Sequence, residues 1–548
     1  MSPTIFPARS APAEGRQGVA ATIQPLATDA AIEAMKSGGN AIDAAVAAAL
    51  TLGVVDGHNS GIGGGCFLLL RLADGSFAAI DGRETAPGAA RRDMFLRDGK
   101  ADPQLSQTGA LASGVPGSLA AYDLAIRRYG KLPLKQHLLA AARIAEEGFR
   151  LDRAYAGRLA ATAGELKQFE ASRAVFLRED GSACKAGEVF KLPDLAKSYR
   201  AMSEQGVQWF YRGPFAQALE QWMMRHDGAL TAEDFWKYEV KLREPVTNTY
   251  RGFQIIGFPP PSSGGVHVAQ ILNILENFDL KAMGANSPDF IHVVTEAMKL
   301  AFADRAHWLG DPDFAAVPRG LVSKEYAARL AKQIRLDRAT PVPRHGTPAD
   351  AGQNVFGKHT THFSTADADG NWVACTATIN TSFGSKVVIP GTGVVLNNQM
   401  DDFSQPGATN FFGLVGAEAN AIAPGKRPLS SMSPTIVLKD GRPVLSVGAA
   451  GGPTIISQTV LAILHTIDFG MSVEAALAQP RFHHQWNPDE LKIERKAGAA
   501  TLRELEKRGH KVAPVDSLGA AQAVAWEANK KTFVGAADPR SEGRAGAW

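Results

Sequence analysis

The feature that most constrains this chain is an abrupt change of character at residue 360. From Ala339 to His359 (ATPVPRHGTPADAGQNVFGKH) the sequence loses its hydrophobic period and gains Pro, Gly and Ala. The stretch has linker composition and exceeds most loops within compact domains. Before it, from about 115 to 345, the pattern is mostly helical, with Ala-rich amphipathic pieces around 117–129 and 134–146. Strand-like Val246–Pro261 interrupts that run. After it, Thr361–Thr365, Trp372–Ile379, Val387–Ile389, Val394–Leu396, Thr435–Lys439 and Val444–Val447 read as strands. A β-rich unit thus begins directly after a linker.

Nearer the N-terminus, residues 1–17 are Pro/Ala/Arg-rich and read as disordered. Gly18–Ile23 reads as a strand, and Thr28-Asp29 as a helix start ended by Gly38-Gly39. Asn40 caps an almost wholly apolar helix to about Leu52, and Cys66–Arg71 and Phe77–Asp81 form a strand pair. No signal-peptide apolar core is visible, and Ala41–Val55 carries Asp43 and is too short to span a bilayer. As written, the chain reads as cytosolic and without a membrane partner. Fifty-eight Lys+Arg against 55 Asp+Glu is too balanced for an electrostatic grip on nucleic acid. Three distant cysteines, Cys66, Cys184 and Cys375, exclude a disulfide framework and a Cys-rich zinc site and read as buried thiols.

Several familiar chemistries are missing. Gly61–Gly65 resembles a phosphate-binding loop but follows a helix rather than a strand, with no acidic ribose partner at the expected spacing. No GxSxG, HExxH or Walker sequence occurs. His483-His484 and the His359/His362 pair lack a supporting carboxylate or cysteine cluster, so they read as ordinary surface or core histidines, and no metal is expected.

The junction itself offers chemistry. Taken alone, it reads first as an edge strand after a surface loop. Cleavage before Thr360 would instead give that threonine a free α-amino group, which can serve as general base for its own hydroxyl. A three-residue turn, Ala368-Asp369-Gly370, with Gly370 in the left-handed conformation, pairs residues whose numbers sum to 738. Thr378 then lies opposite Thr360, and Asn380 falls two residues further along the same face. A slip of one residue would turn Thr378 to the other face. Amides and carboxylates crowd Asn397–Ser404, paired hydroxyls fill Lys426–Pro434, and Gly448–Thr454 opens a helix with exposed N–H groups suited to an oxyanion. Each cluster alone reads as a solvated loop; their concentration after the junction does not.

TTHFS…DGN, TATINTSFG, LNNQMDDFS, FFGLVG…NAIAPGKRPLSSMSPT and PRFHHQW together resemble the γ-glutamyltransferase family of N-terminal nucleophile hydrolases. Ser60–Gly65, Asp81–Pro87, Ala112–Gly117 and Pro261–Gly265 match it too, so the resemblance runs from about residue 18 to the C-terminus. It implies a four-layer αββα sandwich and autocleavage between His359 and Thr360. The products would be a large subunit (18–359, with 338–359 its flexible end) and a small subunit (360–548), forming one domain as a heterodimer. Thr360 would be the nucleophile and Thr378 a second catalytic threonine. Arg83 would hold the substrate α-carboxylate, with Ser430 and Ser431 as further contacts. Asn380, Gln399 and Asp402 would bind the α-ammonium, and Gly451-Gly452 would form the oxyanion hole.

The implied reaction is transfer of a γ-glutamyl group, from glutathione or related donors, to water or an amino acid or peptide acceptor, without a cofactor. Phe412 stands where some bacterial relatives carry a lid tyrosine, which implies a lid without a hydroxyl latch. GAAGGP replaces the more usual GSPGGS, which changes side chains but not N–H donors. The family's periplasmic or secreted habit opposes the cytosolic reading and leaves the compartment open. Two rivals are a glutaryl-cephalosporin acylase, whose substrates lack the α-ammonium, and a non-catalytic relative that never matures.

Overall fold

The computed structural model describes residues 11–351, 362–405 and 407–548. Two seven-stranded sheets form its centre. The first runs, edge to edge, Arg544–Ala547, Gly18–Thr22, Phe363–Asp367, Trp372–Thr378, Gly65–Arg71, Phe77–Gly82 and Lys241–Arg243. The second runs Ala13–Gly15, Thr532–Ala537, Ala520–Glu527, Arg442–Ala450, Thr435–Lys439, Phe253–Gly257 and Val246–Tyr250. All pairings within them are antiparallel.

Strand periodicity sets the layers. In Gly65–Arg71, Cys66, Leu68 and Leu70 join a core shared with helices Pro25–Lys36, Ala41–Val55 and Ser118–Tyr129. Phe67 and Leu69, on the opposite face, meet Phe258, Ile436 and Phe533 between the sheets. Beyond the second sheet, Ile255, Val437 and Val447 pack with helices Gly264–Leu275, Pro288–Trp308 and Thr454–Ile467. The result is the αββα sandwich. Among the described residues no helix is long and apolar enough to cross a membrane.

The hairpin after the linker keeps the expected register: Phe363 pairs with Cys375, Ser364 with Ala374, Thr365 with Val373 and Ala366 with Trp372. Gly370 holds φ +96°, the left-handed conformation the three-residue turn requires. Asp367 Oδ1 accepts from the Asn371 backbone N–H at 3.0 Å and closes the turn.

Four expectations change. Ala13–Gly15, read as disordered, is an edge strand on Gly535–Phe533, because that strand offers an unpaired edge. The first helix begins at Pro25 rather than Thr28, with the Gln24 side chain capping it and proline at its first position. Val387–Ile389 and Val394–Leu396 are no strands; left-handed Gly391 and Gly393 turn the chain so tightly that only a Val388–Val395 bridge forms. Cys66 and Cys375 are buried thiols, but Cys184 is only half-buried.

Candidate active site

Trp372 and Ala374 point between the sheets, so Thr376 and Thr378 do as well. Thr378 therefore ends its strand inside a cleft lined also by Asn380, Gln399, Asp402, Ser430, Ser431, Gly451 and Gly452. Thr360 and His359 lie outside the described residues. Thr378 Oγ1 accepts from the Asn380 N–H at 2.8 Å, which holds Asn380 at φ +78°. The Gly61–Gly65 run serves close approach rather than phosphate: a Cβ on Gly64 would stand 1.9 Å from the Thr378 carbonyl oxygen.

Opposite Thr378, a short 3₁₀ turn at Gln399–Asp402 presents the amide–carboxylate cluster. Asp402 Oδ2 accepts from Arg83 Nη2 at 2.7 Å and from Gln399 Nε2 at 2.6 Å. A carboxylate only accepts here, so the Gln399 nitrogen must face it and Oε1 must face away. That oxygen is buried and has no donor among the described residues. Arg83 is fully buried behind Asp402, also contacting Glu84 Oε2 at 3.4 Å and the Pro428 carbonyl at 3.3 Å.

The paired serines are fixed by residues on the N-terminal side of the linker. Ser262 bridges to Ser430, and Ser263 donates to the Ser430 carbonyl through its N–H at 3.2 Å and its hydroxyl at 2.6 Å. Strand Arg442–Ala450 leads into Gly451 (φ +133°) and Gly452 (φ +59°), just before helix Thr454–Ile467. Among the described residues neither glycine's N–H reaches an acceptor.

Phe412 lines the cleft against Gly452, where a Cβ would stand 2.5 Å from the ring. Among the described residues no hydroxyl holds its loop. Instead, the Phe411 N–H donates to Asp401 Oδ2 at 2.8 Å, and Gln485 Nε2 donates to the Phe412 carbonyl at 3.1 Å. Burial raises the Asp401 carboxyl above the usual carboxylate range.

The cleft also contains residues the sequence reading passed over: Asn59, Leu414, Ile455 and, most notably, Arg305. Arg305 lies on helix Pro288–Trp308, which is buried along most of its length yet carries Asp289, His292, Thr295, Glu296, Lys299, Asp304, Arg305 and His307. Charges spaced along a buried helix were the available signal. His292, Glu296 and His510 lie close enough together to hold a metal ion, but none lines the cleft. His292 Nδ1 lies 2.7 Å from His510 Nε2, and Glu296 accepts from Lys299 at 2.9 Å. His483 and His484 are buried, the first beside Ser457 and the second beside Asp489.

Two stacked antiparallel sheets between helices, with a polar cleft at their edge, define the sandwich of the N-terminal nucleophile hydrolases. Within that class, a γ-glutamyltranspeptidase family model matches residues 27–548, and the chain belongs to that family. It is 44% identical over 538 residues to the glutathione hydrolase proenzyme of Escherichia coli (strain K12), covering 97% of this chain and 91% of that one. It is 37% identical over 551 residues to the Acylase ACY 1 proenzyme of Pseudomonas sp. (strain SE83), covering 98% and 95%. The crystal structure of cephalosporin acylase from Bacillus halodurans superimposes with a TM-score of 0.90 at 30% identity, over 100% of this chain and 99% of that one.

Proposed function

We propose that the chain matures by breaking the bond between His359 and Thr360, and that the new N-terminal threonine then cleaves γ-glutamyl amides such as glutathione. The Thr360 hydroxyl adds to the γ-carbonyl while its α-amino group takes the proton. The Gly451 and Gly452 N–H groups receive the oxyanion. The amine leaves with that proton, and water or an amino acid or peptide acceptor opens the threonine ester. Thr378 supports the nucleophile from the neighbouring strand. The large and small pieces stay together as a heterodimer.

The observation that carries this reading is the head-group site. Gln399 Oε1 is a buried acceptor without a donor among the described residues, while Gln399 Nε2 meets the Asp402 carboxylate at 2.6 Å. An uncommitted amide oxygen and a carboxylate in one side of the cleft suit an α-ammonium, with Asn380 beside them and Arg83, Ser430 and Ser431 for the α-carboxylate. The test is intact mass of purified protein, followed by assay on a γ-glutamyl anilide with and without a dipeptide acceptor. Two fragments summing to the 58.1 kDa chain, together with anilide release, are expected. Full-length protein that still turns over substrate would end the N-terminal nucleophile reading.

Likeness to the two acylases favours glutaryl-amide cleavage as a second reading. A glutaryl group keeps the distal carboxylate but lacks the α-ammonium. A wild-type preference for glutaryl over γ-glutamyl anilide would install the acylase reading.

A further inference from the structure

Arg305 is only 3% exposed, and its guanidinium reaches the cleft wall. Its Nε donates to Ser263 Oγ at 3.0 Å and its Nη2 to Ser431 Oγ at 3.2 Å. A guanidinium has donors only, so both serine oxygens accept here and each serine keeps its own proton to give. Ser263 gives its proton to the Ser430 carbonyl. Ser431 lines the cleft, and its proton has no acceptor among the described residues.

The charges point the same way. Arg83 already has Asp402 at 2.7 Å and Glu84 at 3.4 Å. Arg305 takes part in no ion pair among the described residues, and burial pulls its guanidinium down to about 10 against the opposing charge of Asp402. Arg83, Glu84, Asp402 and Arg305 together are neutral, matching a zwitterionic ligand. Without Arg305 the group would be negative and would repel a carboxylate. A buried cation lacking a carboxylate partner is costly unless an anion arrives to meet it.

We propose that Arg305 makes this site demand a carboxylate on its acyl donor, by turning the Ser431 proton into the cleft and supplying the balancing positive charge. It is a positioning residue that acts through Ser431. The inference rests on the γ-glutamyl reading above.

The test compares three matched anilides on matured enzyme. The γ-glutamyl donor carries carboxylate and ammonium, the glutaryl donor only the carboxylate, and the 4-aminobutanoyl donor only the ammonium. Arg305→Gln should raise KM for the first two donors about 10- to 100-fold, the scale of a charge-assisted hydrogen bond, and leave the third within about threefold. kcat should move little. Ser431→Ala should show the same selectivity, and the double variant should be no worse than the weaker single variant, because both remove one interaction.

If Arg305→Gln does not mature, Arg305→Lys carries the test. An ammonium cannot reproduce the two-serine fork, so KM for the carboxylate donors should still rise by about threefold or more. Equal losses on all three donors, a loss confined to kcat, or multiplicative single-variant effects would overturn the proposal. Wild type that cleaves γ-glutamyl anilide beside indiscriminate Arg305 variants would overturn this inference alone. Wild type that cleaves none of the donors would remove the activity reading as well.

Discussion

Arg83 and Asp402 meet at 2.7 Å although 319 positions separate them in the chain. The contact ties the loop after strand Phe77–Gly82 to the turn at Gln399–Asp402, on opposite sides of the linker. It orients one carboxylate oxygen toward Arg83 while Asp402 still lines the cleft wall.

Asp402→Asn keeps the shape of that side chain and removes its charge. A charge-assisted hydrogen bond is worth about 1.5–3 kcal/mol, so kcat/KM on γ-glutamyl anilide should fall about 10- to 100-fold. On glutaryl anilide, which brings no cation, the loss should be much smaller. Steady-state kinetics on the two matched anilides checks this, and equal losses on both would mean that Asp402 meets no ammonium.

Thr378→Val removes the oxygen that accepts the Asn380 N–H at 2.8 Å while keeping the β-branched shape. The expected stability loss is modest, about 1 kcal/mol, seen as a small fall in Tm. The activity loss should be larger than that, because the hydroxyl is proposed to act at the nucleophile. A correctly matured Thr378→Val enzyme with wild-type kcat would place Thr378 outside the chemistry.

Gly452→Ala puts a methyl group 2.5 Å from the Phe412 ring at φ +59°. The left-handed backbone alone costs about 1–2 kcal/mol for a non-glycine residue. kcat on γ-glutamyl anilide should fall, and Phe412→Ala in the same chain should restore part of it by clearing the collision. No recovery in the double variant would mean that the backbone, not the ring, is responsible.

Burial holds the His362, His483 and His510 imidazoles down to about 3, well below the usual 6.5. Between those values the unfolded chain binds more protons than the folded one. Their contribution to stability is therefore complete above pH 6.5 and declines as pH falls toward 3. At pH 5 each such histidine costs about 2 kcal/mol. Tm measured from pH 7.5 to pH 5 should fall, and His483→Gln should flatten that slope. An unchanged slope in the variant would mean that His483 titrates normally in the folded protein.

The hairpin register was legible because Asp367–Asn371 carries its turn chemistry locally, and the Gln399/Asp402 cluster stood out as polar residues directly after the apolar run Val394–Leu396. Arg305 was not legible in the same way. Its function depends on Ser431, 126 positions away, and nothing local says which face of the helix Pro288–Trp308 will look into a cleft. Ala13–Gly15 escaped for the same reason, since its order comes from a partner strand near the other end of the chain.

The interleaving of the two sheets has a consequence for the mature molecule. Phe363–Asp367 lies between Gly18–Thr22 and Trp372–Thr378, and Arg544–Ala547 closes that sheet beside Gly18–Thr22. A cut at residue 360 would sever the covalent thread without creating a separable interface. The two polypeptides would then melt as one cooperative unit, resist exchange with free copies at any dilution, and be retrieved together by a tag on either one until a denaturant opens both sheets.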